Sequence, residues 1–70
     1  MNKSRNLIVS FSNDIPRCSG IMTLGFVQTH FGNLYPDNEV SILVQEVSKT
    51  DGSVTTLCER IKGKWTEVND

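Results

Sequence analysis

Residues 40–68 read VSILVQEVSKTDGSVTTLCERIKGKWTEV, and this stretch decides the fold. Val40, Ile42 and Val44 occupy alternate positions at its start. Alternation with a period of two is typical of a strand that buries one face. The stretch therefore opens with a predicted strand over residues 40–47, and the two glycine-containing turns that follow predict a β-meander.

The first of these turns, Asp51-Gly52, predicts a β-hairpin. Asp-Gly suits the positive φ angles of a type I′ turn, the usual two-residue connection between antiparallel strands. With a two-residue loop, Ile42 lies opposite Ile61, and a four-residue loop of the same parity keeps the same faces together. A slip of one residue would exchange the two faces of a strand, so this register is the preferred one.

The second turn, Lys62-Gly63-Lys64, predicts a further hairpin that ends in a short strand over residues 65–68. Thr56 to Glu59 also matches a capping box, and the apolar residues from Leu57 to Val68 follow helical spacing. Gly63 in the middle of such a helix would cost about 1 kcal/mol. The hairpin is therefore preferred to the helix.

Two further segments precede this stretch. Leu7, Val9 and Phe11 alternate along a predicted first strand over residues 7–12. Residues 19–35 fit one amphipathic helix, with Ser19 as its N-cap and Gly32-Asn33 near its end. The competing interpretation of this segment is a strand through residues 24–31.

The predicted fold is a single α+β domain over residues 1–70. Its order is β-α-β-β-β, with one helix packed on a mainly antiparallel sheet of three to four strands. If residues 24–31 form a strand, the alternative is an all-β meander of five strands. Seventy residues suffice for one compact domain and leave little area for a deep pocket.

Composition limits the partners of the chain. The sequence contains seven Lys and Arg residues and eight Asp and Glu residues, which gives a net charge of −1. Nucleic-acid-binding domains usually carry a basic stripe that neutralises phosphates, so direct nucleic-acid binding ranks second here.

Neither a secretory leader nor an apolar run of about 20 residues is found, which predicts a cytoplasmic protein that does not bind membranes. Cys18 and Cys58 are then expected to be reduced thiols.

The sequence contains no motif for catalysis, for a metal or for a phosphate group. Cys18 is the one candidate nucleophile, since a cysteine beside Arg17 and before a helix would favour the thiolate. On the predicted helix, His30 lies roughly 18 Å from it, too far to act as a base. Zinc sites need about four ligands at short paired spacings, which the chain lacks. We therefore expect no enzyme activity and no cofactor.

Three groups of residues are candidates for contact with a partner. Trp65 lies among cations, and Trp and Arg are enriched at binding hot spots, although a core position is the preferred interpretation of Trp65. On the predicted helix, one Met and one Phe form an apolar pair facing solvent. Two acids occupy the turn before the second strand. The candidates are Met22, Phe26, Asp37, Glu39, Arg60, Lys62, Lys64 and Trp65.

A small β-α-β-β-β domain with near-neutral charge and no catalytic set is similar in organisation to many phage and mobile-element accessory proteins, including some anti-CRISPR inhibitors. The resemblance implies a module that binds a host protein or ribonucleoprotein complex and inhibits or modulates it by covering a functional surface. The alternative is a nucleic-acid-binding module that uses residues 60–65 as a strip for stacking and phosphate contact. A monomer, or a homodimer through a sheet edge, is expected.

Overall fold

The computed structural model describes residues 3–13, 16–35 and 39–68. They form one antiparallel sheet in the strand order β2-β1-β3-β4-β5, with one helix packed against it. The α+β class and the antiparallel sheet agree with the prediction, but the sheet has five strands rather than three or four. In chain order the elements are β1 (Ser4–Phe11), β2 (Cys18–Thr23), α1 (Leu24–Leu34), β3 (Ile42–Val47), β4 (Val54–Ile61) and β5 (Lys64–Glu67).

Strand β1 follows the predicted alternation. Leu7 and Val9 are fully buried and Phe11 packs against the core, whereas Ile8 and Ser10 point to the other face. The strand lies between β2 and β3, and it is antiparallel to both. A central position on the sheet explains why its apolar residues are the best covered.

Strand β2 corrects the predicted helix boundary. The sequence pattern predicts a helix over residues 19–23, but in the structure they belong to a strand that pairs with β1 from Ser4 to Val9. The N-cap is Thr23 rather than Ser19, since the Oγ1 of Thr23 accepts a hydrogen bond from the Phe26 N–H over 3.1 Å. Pairing with β1 satisfies backbone groups that a helix beginning at Ser19 would leave exposed on β1, and this outweighs the local helical periodicity.

Helix α1 also corrects the all-β alternative, because residues 24–31 are helical rather than extended. Val27 and Phe31 are buried against the sheet. The helix ends at Leu34, where the N–H of Tyr35 still donates to the Phe31 carbonyl over 3.0 Å. A chain that continues with Pro36 disfavours helical φ and ψ at the preceding residue, which explains this end point.

The β3–β4 hairpin has a β-bulge that the predicted register did not include. Its loop has four residues, closed by the Ser48 N–H, which donates to the Ser53 carbonyl over 2.8 Å. Between Val44, which lies opposite Cys58, and Gln45, which lies opposite Thr56, the register shifts by one residue. Ile42 therefore lies opposite Arg60 rather than Ile61, and the predicted pairing is wrong at this point.

The bulge has a packing reason. Leu57 is the extra residue on β4, and it is 7% exposed while the next residue, Cys58, is fully buried. A regular strand would send one of two consecutive side chains to each face, whereas a bulge changes the direction of the side chains that follow it. Both apolar residues thereby join the core cluster.

The type I′ turn that was predicted for the first hairpin is found at the second one. Gly52 has φ 74°, but Asp51 has no positive φ, so Asp51-Gly52 is not the predicted type I′ turn. Lys62 and Gly63 have φ of 54° and 77°, and they connect β4 to β5 as a two-residue loop. Positive φ at both positions is the type I′ pattern. The predicted second hairpin is therefore confirmed, and the alternative helix over the capping box is excluded.

Candidate functional site

The helix covers one face of the sheet, which we call the helix face. The register places Leu7 and Val9 of β1 on this face together with Ile42 and Val44 of β3. All four are buried, and Val27 of α1 belongs to the same cluster. The helix face thus supplies the hydrophobic core.

The opposite face, which we call the open face, has no described element packed on it. The same register assigns to it the alternate residues of every strand. Ile21, Val54 and Ile61 are 67%, 53% and 47% exposed there, values that no covering layer would allow. Its apolar side chains are Ile8, Ile21, Leu43, Val47, Val54 and Ile61.

The open face carries little charge. Of its side chains within the described strands, Glu59 and Lys64 are the charged ones. The ion pair of the sheet, between the Arg5 Nη1 and the Glu46 Oε1 at 3.4 Å, lies on the helix face. Hydroxyl and amide side chains such as Asn6, Ser10 and Gln45 lie between the apolar ones. Low charge is typical of the centre of a protein contact surface, whereas a phosphate-binding surface carries several cations.

A depression of about 270 Å³ lies at one end of the open face. The ends of β1 and β3 are tied together at its rim, since the Ser12 N–H donates to the Ser41 carbonyl over 3.0 Å. The Ser41 N–H in turn donates to the Ser12 Oγ over 2.9 Å. Leu43 and Ile61 contribute apolar walls, and Glu59 contributes a carboxylate. Such a lining suits a side chain with an aliphatic stem and a cationic end, like that of Lys or Arg.

The predicted cationic strip does not form one surface. Arg60 is only 8% exposed, and its Nη1 donates to the Tyr35 carbonyl at the end of α1. Trp65 lies opposite Arg60 on the helix face, whereas Lys64 projects to the open face. Lys62 is exposed in the turn. Arg60 is therefore occupied inside the protein, and Trp65 and Lys64 project from opposite faces of the sheet.

Trp65 packs against the core, in agreement with the core position that the sequence analysis preferred for it. It is half-buried, and a Cβ built on Gly32 would lie 3.6 Å from its indole Nε1. The tryptophan thus fills the space between β5 and the glycine side of α1.

Met22 and Phe26 do not form the apolar pair that the predicted helix implied. Met22 belongs to β2, where it is half-buried and packs against the core. Phe26 is 52% exposed on α1 and stacks on His30, with ring centroids 5.2 Å apart and planes 8° from parallel. The placement of Met22 on a helix is wrong, while a contact of either residue with a partner stays a prediction.

The two acidic candidates lie at the edge of the described structure. Asp37 falls outside the described residues. Glu39 is exposed in the turn before Val40. A role for either acid in binding stays a prediction.

The open face is the feature that the sequence analysis missed. Its signal was present in Ile8 and Leu43, apolar residues on the polar side of two alternating strands. One short helix covers only one face of a five-stranded sheet, so apolar residues on the second face must remain exposed or meet a partner. The number of helices, together with the strand pattern, indicates that one face of the sheet stays uncovered.

The two thiols differ in environment, and both are free. Cys18 is exposed on β2. Cys58 is fully buried, and the Gln28 Nε2 approaches its Sγ at 3.7 Å. Burial raises the pKa of the Cys58 thiol, because a thiolate would lose its hydration there. Cys58 is thus held as a neutral core residue.

Metal, membrane and family comparisons add no further site. Among the described residues, no group of three His, Cys, Asp or Glu side chains is arranged to hold a metal ion. The 11-residue helix α1 is too short to cross a membrane. No helix in the part of the chain that the structure describes is long and apolar enough to do so. Comparison with protein-family models, curated proteins and solved structures finds no match to this chain.

Proposed function

We propose that this protein is a non-enzymatic binding module that inhibits or modulates a macromolecular partner by covering part of its surface. The open face is the surface that makes contact. The observation that supports this proposal is its composition, which combines exposed Ile and Val side chains with two charged residues within the described strands. Depletion of charged residues is the compositional feature that distinguishes the centre of a protein–protein interface from the rest of a protein surface.

The size of the open face fits a modest interface. Five strands spaced about 4.8 Å apart make a sheet about 24 Å wide, and six residues extend a strand over about 20 Å. A standard protein–protein interface takes about 800 Å² from each partner. The open face measures roughly 480 Å² in outline, which is less than this, so the whole face and its surroundings would be engaged at once.

The partner is a protein surface with an apolar patch and a protruding Lys or Arg. The patch would pack on the exposed Ile and Val side chains, and the protruding side chain would enter the depression beside Glu59. The carboxylate of Glu59 would then meet the cationic end, a charge-assisted contact that fixes orientation. A nucleic acid would instead bring a row of phosphates to a face with one cation.

The test combines affinity capture with variants of the open face. Tagged protein is incubated with nuclease-treated and untreated lysate of its source, and captured proteins are identified by mass spectrometry. Val54→Lys changes the open face, and Leu34→Lys changes the helix at the same 53% exposure, which makes it a matched control. We expect a partner that survives nuclease, is lost with Val54→Lys, and is retained with Leu34→Lys.

Glu59→Gln tests the depression separately. It removes the charge and keeps the shape, so we expect binding of the same partner to weaken by about tenfold. The contrary result is capture that disappears with nuclease and depends on Lys62 and Lys64 but not on Val54. That pattern, with a steep salt dependence, would favour nucleic-acid binding instead.

A further inference from the structure

The two edges of the sheet differ in how well they are protected against pairing. Edge strand β5 has four residues, KWTE, with a charge at each end. Edge strand β2 has six residues, CSGIMT, and no charge. Native proteins block exposed edges with short strands and with charged side chains, especially Lys. By these criteria β5 is blocked, whereas β2 is a usable template for another strand.

Exposed apolar side chains also border β2. Ile21 projects from it on the open face and is 67% exposed. Phe26, on the first turn of α1 directly after β2, is 52% exposed. Ile21 thus gives the edge strand an exposed apolar side chain that an added strand could cover, and the exposed Phe26 follows soon after it in the chain.

We propose that two copies of this chain pair through β2. The strands run antiparallel across a two-fold axis near Ile21, so that the two sheets join into one continuous sheet. This inference goes beyond the proposed function and does not depend on it, because it concerns the edge rather than the open face.

A second copy is the occupant that the chemistry of β2 favours. With the two-fold axis near Ile21, Ile21 lies opposite the Ile21 of the other copy on the open face, and Ser19 lies opposite Thr23 of the other copy. An apolar side chain thus meets an apolar one and a hydroxyl meets a hydroxyl, and both kinds of cross-strand pair are favourable. The uncharged strand is therefore complementary to itself.

The blocked β5 edge explains why assembly stops at two. Pairing of β2 with β5 of the next copy would be a heterologous contact, and such contacts propagate into open filaments. The short strand and its Lys64 and Glu67 oppose that contact. Pairing of β2 with β2 consumes the usable edge of both copies, and the dimer is closed.

Analytical ultracentrifugation tests the proposal on the full chain. The protein is measured from about 1 μM to 1 mM with a reductant present, which excludes a disulfide through Cys18, since small interfaces give weak association. We expect the mass to rise with concentration from 7.8 kDa to twice that value. Over the same range, amide protons of β2 should become more protected from hydrogen exchange.

Lys substitutions on the two edges locate the contact. Ile21→Lys places a charge on β2 and should weaken dimerisation by at least about tenfold. Thr66→Lys places one on β5, where the side chain is also exposed, and should leave it unchanged. If Ile21→Lys does not fold, as judged by its amide spectrum, Ser19→Lys replaces it on the same strand and face. A monomer at 1 mM, or a dimer insensitive to the Lys on β2, overturns the proposal.

Discussion

The guanidinium of Arg60, on β4, donates from Nη1 to the backbone carbonyl of Tyr35 at the C-terminal end of α1. The last carbonyls of a helix lack partners within the helix, and a cation there also meets the negative end of the helix dipole. Arg60 is 8% exposed, and its Nε has no partner among the described residues. One buried side chain therefore connects the end of the helix to the sheet.

Replacing Arg60 should destabilise the fold. Arg60→Ala removes a hydrogen bond from a charged donor, and we expect the free energy of unfolding to fall by about 2–3 kcal/mol. Lys64→Ala removes an exposed cation nearby and should change it by less than about 0.5 kcal/mol. Urea unfolding followed by circular dichroism measures both. Equal effects for the two variants would show that Arg60 does not anchor the helix.

The Lys62-Gly63 turn contains a conformation that lysine adopts poorly. Lys62 has φ 54°, and a left-handed conformation costs an ordinary residue about 1–2 kcal/mol. Asn tolerates it better. We expect Lys62→Asn to raise the free energy of unfolding by up to about 1 kcal/mol, whereas Lys49→Asn, in the other loop, should not raise it. Thermal unfolding of the two variants decides, and equal midpoints would contradict the turn assignment.

The predicted parts of the fold are those whose evidence is local. Strand β1 follows from the alternation of Leu7 and Val9, and the last hairpin follows from Lys62-Gly63. Strand β2 was missed because Ile21 also fits the helical period of the residues after it. The deciding influence is the edge of β1, whose residues lie 9 to 19 positions away from their partners in sequence and need partners for their backbone groups.

The candidate site depends even more on distant relationships. The bulge at Leu57 determines on which face Ile61 and Lys64 lie. No turn residue in the sequence indicates this bulge. Arg60 matches a surface cation by composition, yet the bulge directs it to the helix face. The surface left uncovered by the single helix becomes visible only when every strand has its register.

The loop before β4 should show a pH-dependent stability. The Ser53 N–H donates to the Asp51 Oδ1 over 3.0 Å, and this bond holds the pKa of the Asp51 carboxyl below 3.8. A lowered pKa in the folded state gives stability that is present above pH 3.8 and is lost as the pH falls through the folded value. Asp51→Asn keeps the acceptor and does not titrate. The difference in unfolding free energy between the two proteins should shrink between pH 5 and pH 2, and a constant difference would contradict the contact.

Gly32 offers a test of the contact between α1 and β5. A methyl group on Gly32 would lie 3.6 Å from the Trp65 Nε1, an ordinary van der Waals distance. Ala is favoured over Gly inside a helix by about 1 kcal/mol, so Gly32→Ala should stabilise the protein by about 0.5–1 kcal/mol. Gly32→Leu should displace the indole and destabilise it. Trp65 is the single tryptophan, so its fluorescence reports the displacement directly. Stabilisation by Leu as large as by Ala would show that the two elements do not touch.

The two thiols should differ in reactivity and in their effect on stability. In the folded protein a thiol reagent should modify Cys18 rapidly and Cys58 only after a denaturant is added, because the first is exposed and the second is buried. Cys18→Ser should abolish the rapid phase. Rapid modification of both thiols without denaturant would show that β4 opens readily, and that the core around the bulge is not closed.

The buried thiol should also make stability depend on pH. Burial raises the pKa of Cys58 above 9.0, so its contribution to stability is fully present below pH 9 and is lost as the pH rises through the folded value. The free energy of unfolding should therefore decrease above pH 9, and Cys58→Ala should remove that part of the slope.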